Sequence, residues 1–157
     1  MVIHAKEMIE RNELDNSHLV YGGYLQDWLL YNTDFNWRLE PERKGKSRAI
    51  ADIGSHWCDT IQFVLGRKII EVFADLKTLH QIASSFTHYP GGYNEGWPDA
   101  LKNQFIDFYS TIIGKSSQGK SYFASIEDGH RIMRIVDAIL ESYEKKCWVT
   151  ITDELPG

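Results

Sequence analysis

One short segment of the sequence places an aspartate and a histidine at a spacing that suits proton transfer. The segment "ADIGSHWCDT" (51–60) has Asp52 four residues before His56, and residues four apart on a helix lie on the same face. Histidine titrates near neutral pH, and a neighbouring carboxylate fixes its tautomer and stabilises its charged form. Such a pair can take a proton from a hydroxyl group during the oxidation of an alcohol.

The same pair also fits a solvated helix face. At about 100° per residue, the apolar side chains of 50–65 gather on one arc, whereas Asp52, His56 and Asp59 fall on the opposite side. An exposed pair at this spacing contributes only about 0.2–0.5 kcal/mol and needs no catalytic reason. Gly54 costs the helix about 1 kcal/mol relative to alanine. It therefore indicates a close approach, either by a packed helix or by a flat cofactor ring.

The elements around this pair predict an α+β fold with a small, partly deleted sheet of two or three strands and about four helices. Helical patterns cover 2–13, 48–65, 98–114 and 125–146, and strand patterns cover 18–26, 68–79 and 147–151. Gly66 and Gly114 end two of the helices, and Ser125 with Asp128 forms a capping box at the start of another. Gly22 and Gly23 indicate a bulge or a close backbone approach. Because so small a sheet is weak alone and its edges invite pairing, we expect a homodimer or higher oligomer formed through sheet edges.

Composition restricts the class of protein. The chain has 157 residues, 43% of them hydrophobic and 25% charged, which is typical of one globular domain. With a net charge of -5 and no basic stripe, we expect no nucleic acid partner. No apolar run approaches the ~20 residues of a membrane span, and the N-terminus is unlike a signal peptide. These features predict no membrane association and a cytoplasmic location.

Common metal-binding motifs and the Rossmann dinucleotide motif are absent from the sequence. It contains no H-E-x-x-H, no C-x-x-C and no G-x-G-x-x-G. We therefore expect no metal site and no cofactor site in this chain. Cys58 and Cys147 both lie within apolar patterns, which predicts a buried, reduced thiol for each.

Four segments carry a more specific signal: "GGYLQDWLLYNTDFNWRLE", "AIADIGSHWCDTIQFVLGRKIIEVFADL", "HYPGGYNEGWPDALKNQFIDFY" and "EDGHRIMRIVDAILESYEKKCWVTI". In this order they resemble the C-terminal domain of the Gfo/Idh/MocA oxidoreductases, the relatives of glucose-fructose oxidoreductase and inositol dehydrogenase. The resemblance implies that Asp52 and His56 are the family's catalytic D-x-x-x-H pair, with His56 as the general base. It also implies that Trp37 and Arg38 lie beside the substrate.

The loop at 88–97 resembles a segment that approaches the substrate, so His88 and Tyr93 are further candidates for substrate binding. Relatives often carry histidine where this chain has Tyr93. The family binds NAD(P) on an N-terminal Rossmann domain and acts on sugars or polyols. Neither that domain nor its catalytic lysine is present here, and the stretch between His80 and Thr87 is too short for the sheet strands of relatives.

We therefore expect a single truncated domain over 1–157 that is inactive alone. One alternative is a subunit of a split dehydrogenase whose Rossmann half lies on another chain. The other is a non-catalytic sugar-binding module, in which exposed aromatic rings stack on a sugar; the candidates are Trp28, Trp37, Tyr89, Tyr93 and Trp97.

Overall fold

The structure is a computed structural model that describes residues 2–14, 17–23, 42, 45–47, 50–77, 97–114 and 123–152. Its helices are α1 (Val2–Glu10), α2 (Ser55–Leu65), α3 (Trp97–Ile112) and α4 (Ile126–Lys145), and a π-helical turn (Ile50–Gly54) leads directly into α2. Its strands are β1 (Glu71–Val72) and β2 (Val149–Thr150). Within these described ranges, four α-helices and a small antiparallel sheet confirm the predicted α+β fold class.

The longest helix, α4, begins where the sequence predicts. Ser125 Oγ accepts a hydrogen bond from the Asp128 backbone N–H at 3.1 Å, and Asp128 Oδ2 accepts one from the Ser125 N–H at 2.9 Å. These two bonds are the predicted capping box, and they satisfy two N–H groups that a helix start otherwise leaves unpaired. The helix ends at Lys146, in the left-handed region at φ 54°, and the Lys146 N–H donates to the Ser142 carbonyl at 2.8 Å.

The helix that carries the candidate pair ends as predicted but starts differently. Gly66 adopts φ +61°, a left-handed conformation that ends α2 without the penalty a Cβ would bring. The first turn is π-helical over Ile50–Gly54, where the sequence pattern predicts an α-helix from residue 48. Within this region Ser55 Oγ donates to the Ala51 carbonyl at 2.8 Å, a bond that periodicity alone does not reveal.

The sheet is shorter than its sequence pattern. In the antiparallel pair, Glu71 lies opposite Thr150 and Val72 opposite Val149, and the Ile151 N–H donates to the Ile70 carbonyl at 2.8 Å just beyond it. Within the described residues, the strands predicted at 68–79 and 147–151 pair only at Glu71–Val72 and Val149–Thr150. The inward-facing side chains of the two strands, Val72 and Val149, pack against the core.

The strand predicted at 18–26 is wrong over its described part, because residues 17–23 form no strand. Leu19 and Tyr21 are 81% and 90% exposed, so neither packs as a strand side chain does. Strand propensity reflects packing against a paired neighbour rather than a backbone preference. The predicted close backbone approach is confirmed at Gly22, where a Cβ would lie 3.0 Å from Trp57 Nε1.

The core lies between α2, α4 and the two-stranded sheet. Its buried members come from these three elements, and partly buried side chains surround them: Cys58, Ile132, Ile135, Ala138 and Ile151 at the centre, with Trp57, Ile69, Val72, Ile139 and Val149 around them. A fully buried hydroxyl ties the layers together, because Ser142 Oγ donates to the Cys147 carbonyl at 2.7 Å and accepts from the Ala74 N–H at 3.0 Å. The core therefore holds α2, and with it the candidate pair, against α4.

The N-terminal helix packs on the back of α2 through one lysine. Lys6 Nζ donates to the Phe63 carbonyl at 2.9 Å and lies 4.7 Å from the centre of the Phe63 ring. The ammonium group thus contacts a carbonyl oxygen and an aromatic face at once.

In the part of the chain that the structure describes, no helix is both long and apolar enough to cross a membrane.

Candidate functional site

The structure places Asp52 and His56 on either side of the junction between the π turn and α2. Asp52 lies within the π turn and is half-buried, whereas His56 is the second residue of α2 and is exposed. A π turn closes i→i+5 hydrogen bonds, so a spacing of four residues no longer corresponds to one helical turn. The predicted placement away from the core holds for the exposed imidazole and only in part for the carboxylate.

A second carboxylate, Asp59, interacts electrostatically with the same histidine. Burial raises the pKa of Asp59, the negative charge of Asp128 raises it further, and the positive charge of His56 lowers it. Asp59 therefore lies in the combined field of the α4 capping box and the imidazole. Sequence analysis placed Asp59 on the same side of the helix as His56 but did not make it a candidate. Its i,i+3 spacing from His56 was the available signal.

The neighbouring thiol is a core group rather than a reactive one. Cys58 is buried, and burial, followed by the negative charge of Asp59, raises the pKa of its thiol. Because the thiolate is the nucleophile, a raised pKa makes the group inert near neutral pH. The predicted burial is confirmed for Cys58 and wrong for Cys147, whose side chain is exposed. Cys147 lies in the tight turn between α4 and β2, where its carbonyl, not its sulfur, makes the inward contact.

A side chain at Gly54 would have one near neighbour among the described residues. A Cβ at this position would lie 3.4 Å from Ile50 Cγ2, within the same π turn, which is an ordinary van der Waals contact. The described residues therefore show no packed helix that approaches Gly54 closely. The approach of a cofactor ring stays a prediction.

The remaining candidate site residues lie in parts of the chain that the structure does not describe. Trp37, Arg38, His88 and Tyr93 all lie outside the described residues, so their predicted roles in substrate binding stay predictions. Within the described residues, no group of three or more His, Cys, Asp or Glu side chains is arranged to hold a metal ion. The described part of the site is thus an imidazole with a carboxylate on either side of it in sequence.

A comparison with protein-family models places this helix within a known domain. The model for the GFO/IDH/MocA C-terminal domain matches residues 2–99, which is more than half of the 157 residues. The chain belongs to this family. The match includes Asp52, His56 and Asp59, and the GFO/IDH/MocA resemblance found in the sequence motifs is therefore confirmed for this part. Searches of curated proteins and of solved structures give no match.

The match to the GFO/IDH/MocA domain ends before most of the core-forming segment. The α4 helix and β2 lie beyond residue 99, yet they supply most of the buried side chains that support α2. The matched part thus contains the candidate pair, and the unmatched part contains the packing that positions it.

Proposed function

We propose that this chain is the substrate-side domain of a GFO/IDH/MocA oxidoreductase acting on a sugar or polyol, and that it handles the proton of the reaction but not the hydride. The observation that supports the proposal is the exposed His56 at the start of α2, with half-buried Asp52 one π turn before it, inside the family-matched range. An exposed imidazole is accessible to a hydroxyl group. A half-buried carboxylate has lost part of its solvation and interacts more strongly with a nearby positive charge.

In this reaction, His56 acts as a general base. When an alcohol becomes a carbonyl, the carbon-bound hydrogen would leave as hydride to NAD(P)+ held by a Rossmann domain outside these residues, and the hydroxyl proton moves to an imidazole nitrogen of His56. Asp52 and Asp59 stabilise the imidazolium that forms, because each carboxylate is within about one turn of it along the helix. Burial raises the pKa of Asp59, so a fall in pH protonates this carboxylate more easily than a fully solvated aspartate.

A dinucleotide does not fit the residues present. The whole sequence lacks the G-x-G-x-x-G motif, and the described residues contain no glycine-rich turn that links a strand to a helix N-terminus. The turn before α2 is π-helical, and its one glycine packs against Ile50. We therefore propose that these 157 residues neither bind NAD(P) nor oxidise an alcohol by themselves.

The proposal includes association with a second copy through the sheet. A two-stranded sheet is marginally stable alone, and unpaired strand edges favour association. Next to the sheet, Phe73 and Trp148 are 51% and 64% exposed, with ring centroids 5.7 Å apart. A second chain that extends the sheet would cover these rings.

Calorimetry with a panel of inositols, aldohexoses and alditols tests the substrate side of the proposal. We expect saturable binding of at least one polyol, weakened about tenfold in His56→Ala through loss of one hydrogen bond to ligand. Arg67→Ala, at an exposed position just beyond the other end of this helix, is the control and should leave affinity unchanged. Absence of binding to every compound, or equal affinities for the two variants, would contradict the proposal.

The alternative of a split dehydrogenase has its own readout. Co-purification with a second chain that carries a G-x-G-x-x-G unit, together with alcohol-dependent NAD(P) reduction by the pair, would identify a two-chain enzyme. Polyol binding without such a partner or activity would instead identify a sugar-binding module.

A further inference from the structure

The α3 helix leaves its large apolar side chains exposed, together with the polar side chains of Lys102, Asn103 and Gln104. The large apolar side chains are between 38% and 64% exposed: Leu101, Phe105, Ile106, Phe108, Tyr109, Ile112 and Ile113. We call these seven side chains the α3 apolar face. An amphipathic helix ordinarily buries its apolar stripe against a core, so a partner is needed to shield this face from water.

The shape of this face is that of a helix-packing site. A groove runs along it between two rows of side chains spaced four residues apart, Leu101–Phe105–Tyr109–Ile113 and Lys102–Ile106–Ser110. In the commonest packing of two helices, an i±4 row of one helix fits into the groove between two such rows of the other. The Leu101–Ile113 row is apolar throughout, so α3 presents both the ridge and the groove that this packing needs.

The area of the face is close to that of one side of a stable protein interface. With about 200 Å² for each large side chain, these exposed fractions correspond to about 700 Å² of apolar surface. A standard interface buries about 800 Å² on each partner. Exposed apolar patches on monomers are usually smaller, at a few hundred Å². A partner that covers only this face would thus bury nearly the area that specific association requires.

We propose that the α3 apolar face docks against α3 of a second copy of this chain, with the two helices antiparallel. A two-fold axis between Phe105 and Ile106, near the helix midpoint, would set Lys102 of each copy opposite Tyr109 of the other. That register pairs an ammonium group with an aromatic ring. It also aligns the two helix dipoles in opposite directions, and it inserts each apolar ridge into the other groove.

The chemistry of the groove favours a copy over other partners. Lys102 is the only charged residue among those that line it, so the face offers no cluster of positive charge to an anionic lipid surface or to nucleic acid. A twofold contact needs one self-complementary surface rather than two different ones. This association is separate from the proposed sheet contact, since it uses no residue of β1 or β2.

Sedimentation velocity across a concentration series tests the proposal. Phe105→Glu places a charge at the proposed axis, whereas Asn103→Glu adds the same charge on the exposed polar side of the same helix. We expect a reversible dimer for the wild-type chain and for Asn103→Glu. For Phe105→Glu we expect a dimer dissociation constant at least ~10-fold higher, with the helical circular dichroism retained. Equal constants for the two variants, or a wild-type chain that stays monomeric, would overturn the proposal.

Cross-linking provides a second test that does not depend on a disruptive substitution. In a Cys147→Ser background, Ile106→Cys should be joined between copies by a short bis-maleimide, and Asn103→Cys should not. Equal yields at the two positions would overturn the proposal. A dimer that is lost in Trp148→Ala but leaves Ile106→Cys uncross-linked would assign association to the sheet alone, and it would overturn the α3 contact while supporting the sheet contact.

Discussion

The buried hydroxyl of Ser142 connects α4 to two backbone segments, so removing this one oxygen atom tests how much the connection contributes to stability. Ser142 is 0% exposed, and its Oγ pairs with two backbone groups from different segments, the Ala74 N–H and the Cys147 carbonyl. Ser142→Ala leaves both groups without this partner. A buried backbone group that loses its hydrogen bond costs about 1–3 kcal/mol, and alanine recovers about 0.5 kcal/mol through its higher helix propensity. Because the bond to the Ala74 N–H is buried and the bond to the Cys147 carbonyl is only partly buried, we expect the free energy of unfolding to fall by about 1–3 kcal/mol.

Urea unfolding followed by tryptophan fluorescence and circular dichroism measures this loss. Ser110→Ala makes the same chemical change on the half-buried side of α3 and controls for helix propensity. Ser142→Cys retains a weak donor and acceptor and should fall between the wild type and Ser142→Ala. If the free energies of unfolding of Ser142→Ala and Ser110→Ala differ by less than ~0.5 kcal/mol, then the Ser142 hydroxyl does not hold the two-stranded sheet to α4, which would contradict this prediction.

Three smaller changes test other parts of the fold by the same unfolding assay. Gly66→Ala should cost about 1 kcal/mol, because φ +61° penalises a Cβ, and Gly66→Asn should cost less. Gln62 Oε1 accepts hydrogen bonds from the Ile69 N–H at 3.0 Å and from Arg131 Nε at 3.1 Å. Gln62→Ala removes this acceptor and should lower the free energy of unfolding by about 1–2 kcal/mol. Gln62→Glu keeps the acceptor and adds a negative charge beside Arg131, so it should be neutral or stabilising. The folded-state pKa of Asp59 is raised, so its contribution to stability is present below its unfolded pKa and is lost as pH rises through the folded value. Asparagine cannot ionise, so Asp59→Asn should raise the free energy of unfolding relative to the wild type at pH 7, by a few tenths of a kcal/mol more than it does at pH 4. An effect of Asp59→Asn that does not change with pH would refute this assignment.

Features that depend on neighbouring residues in the sequence were predicted well. The capping box of Ser125 with Asp128 and the glycine end of α2 at Gly66 both appear where the pattern places them. Each feature forms from groups within a few residues of one another, so the local sequence contains all the information it needs. The family resemblance succeeded for the same reason, because its motifs are contiguous segments.

Features that depend on distant contacts were predicted less well. The pattern at 18–26 has the composition of a strand, but its described part passes Trp57 as irregular chain with exposed side chains. Cys147 lies in an apolar pattern, yet the turn after α4 exposes its sulfur and directs its carbonyl to Ser142. In both cases the outcome depends on which other segment packs there, and single-sequence periodicity does not contain that information.

The candidate site shows the same division. The pattern identified the helix with Asp52 and His56, and the family match contains both residues. It did not reveal the π turn that half-buries Asp52, nor the effect of Asp128 on Asp59, because that effect acts between helices distant in sequence. Even so, residue types and spacing were enough to select the helix on which the chemical hypothesis rests.

The central claim is that this chain supplies a proton acceptor and no site for a dinucleotide. Titration of NADH into the purified chain, followed by NADH fluorescence and by quenching of tryptophan emission, tests it most directly, with a Rossmann-fold dehydrogenase as the positive control. We predict a linear, non-saturating response, equal for the wild type and His56→Ala. Saturable binding at micromolar NADH with one site per chain would contradict the account.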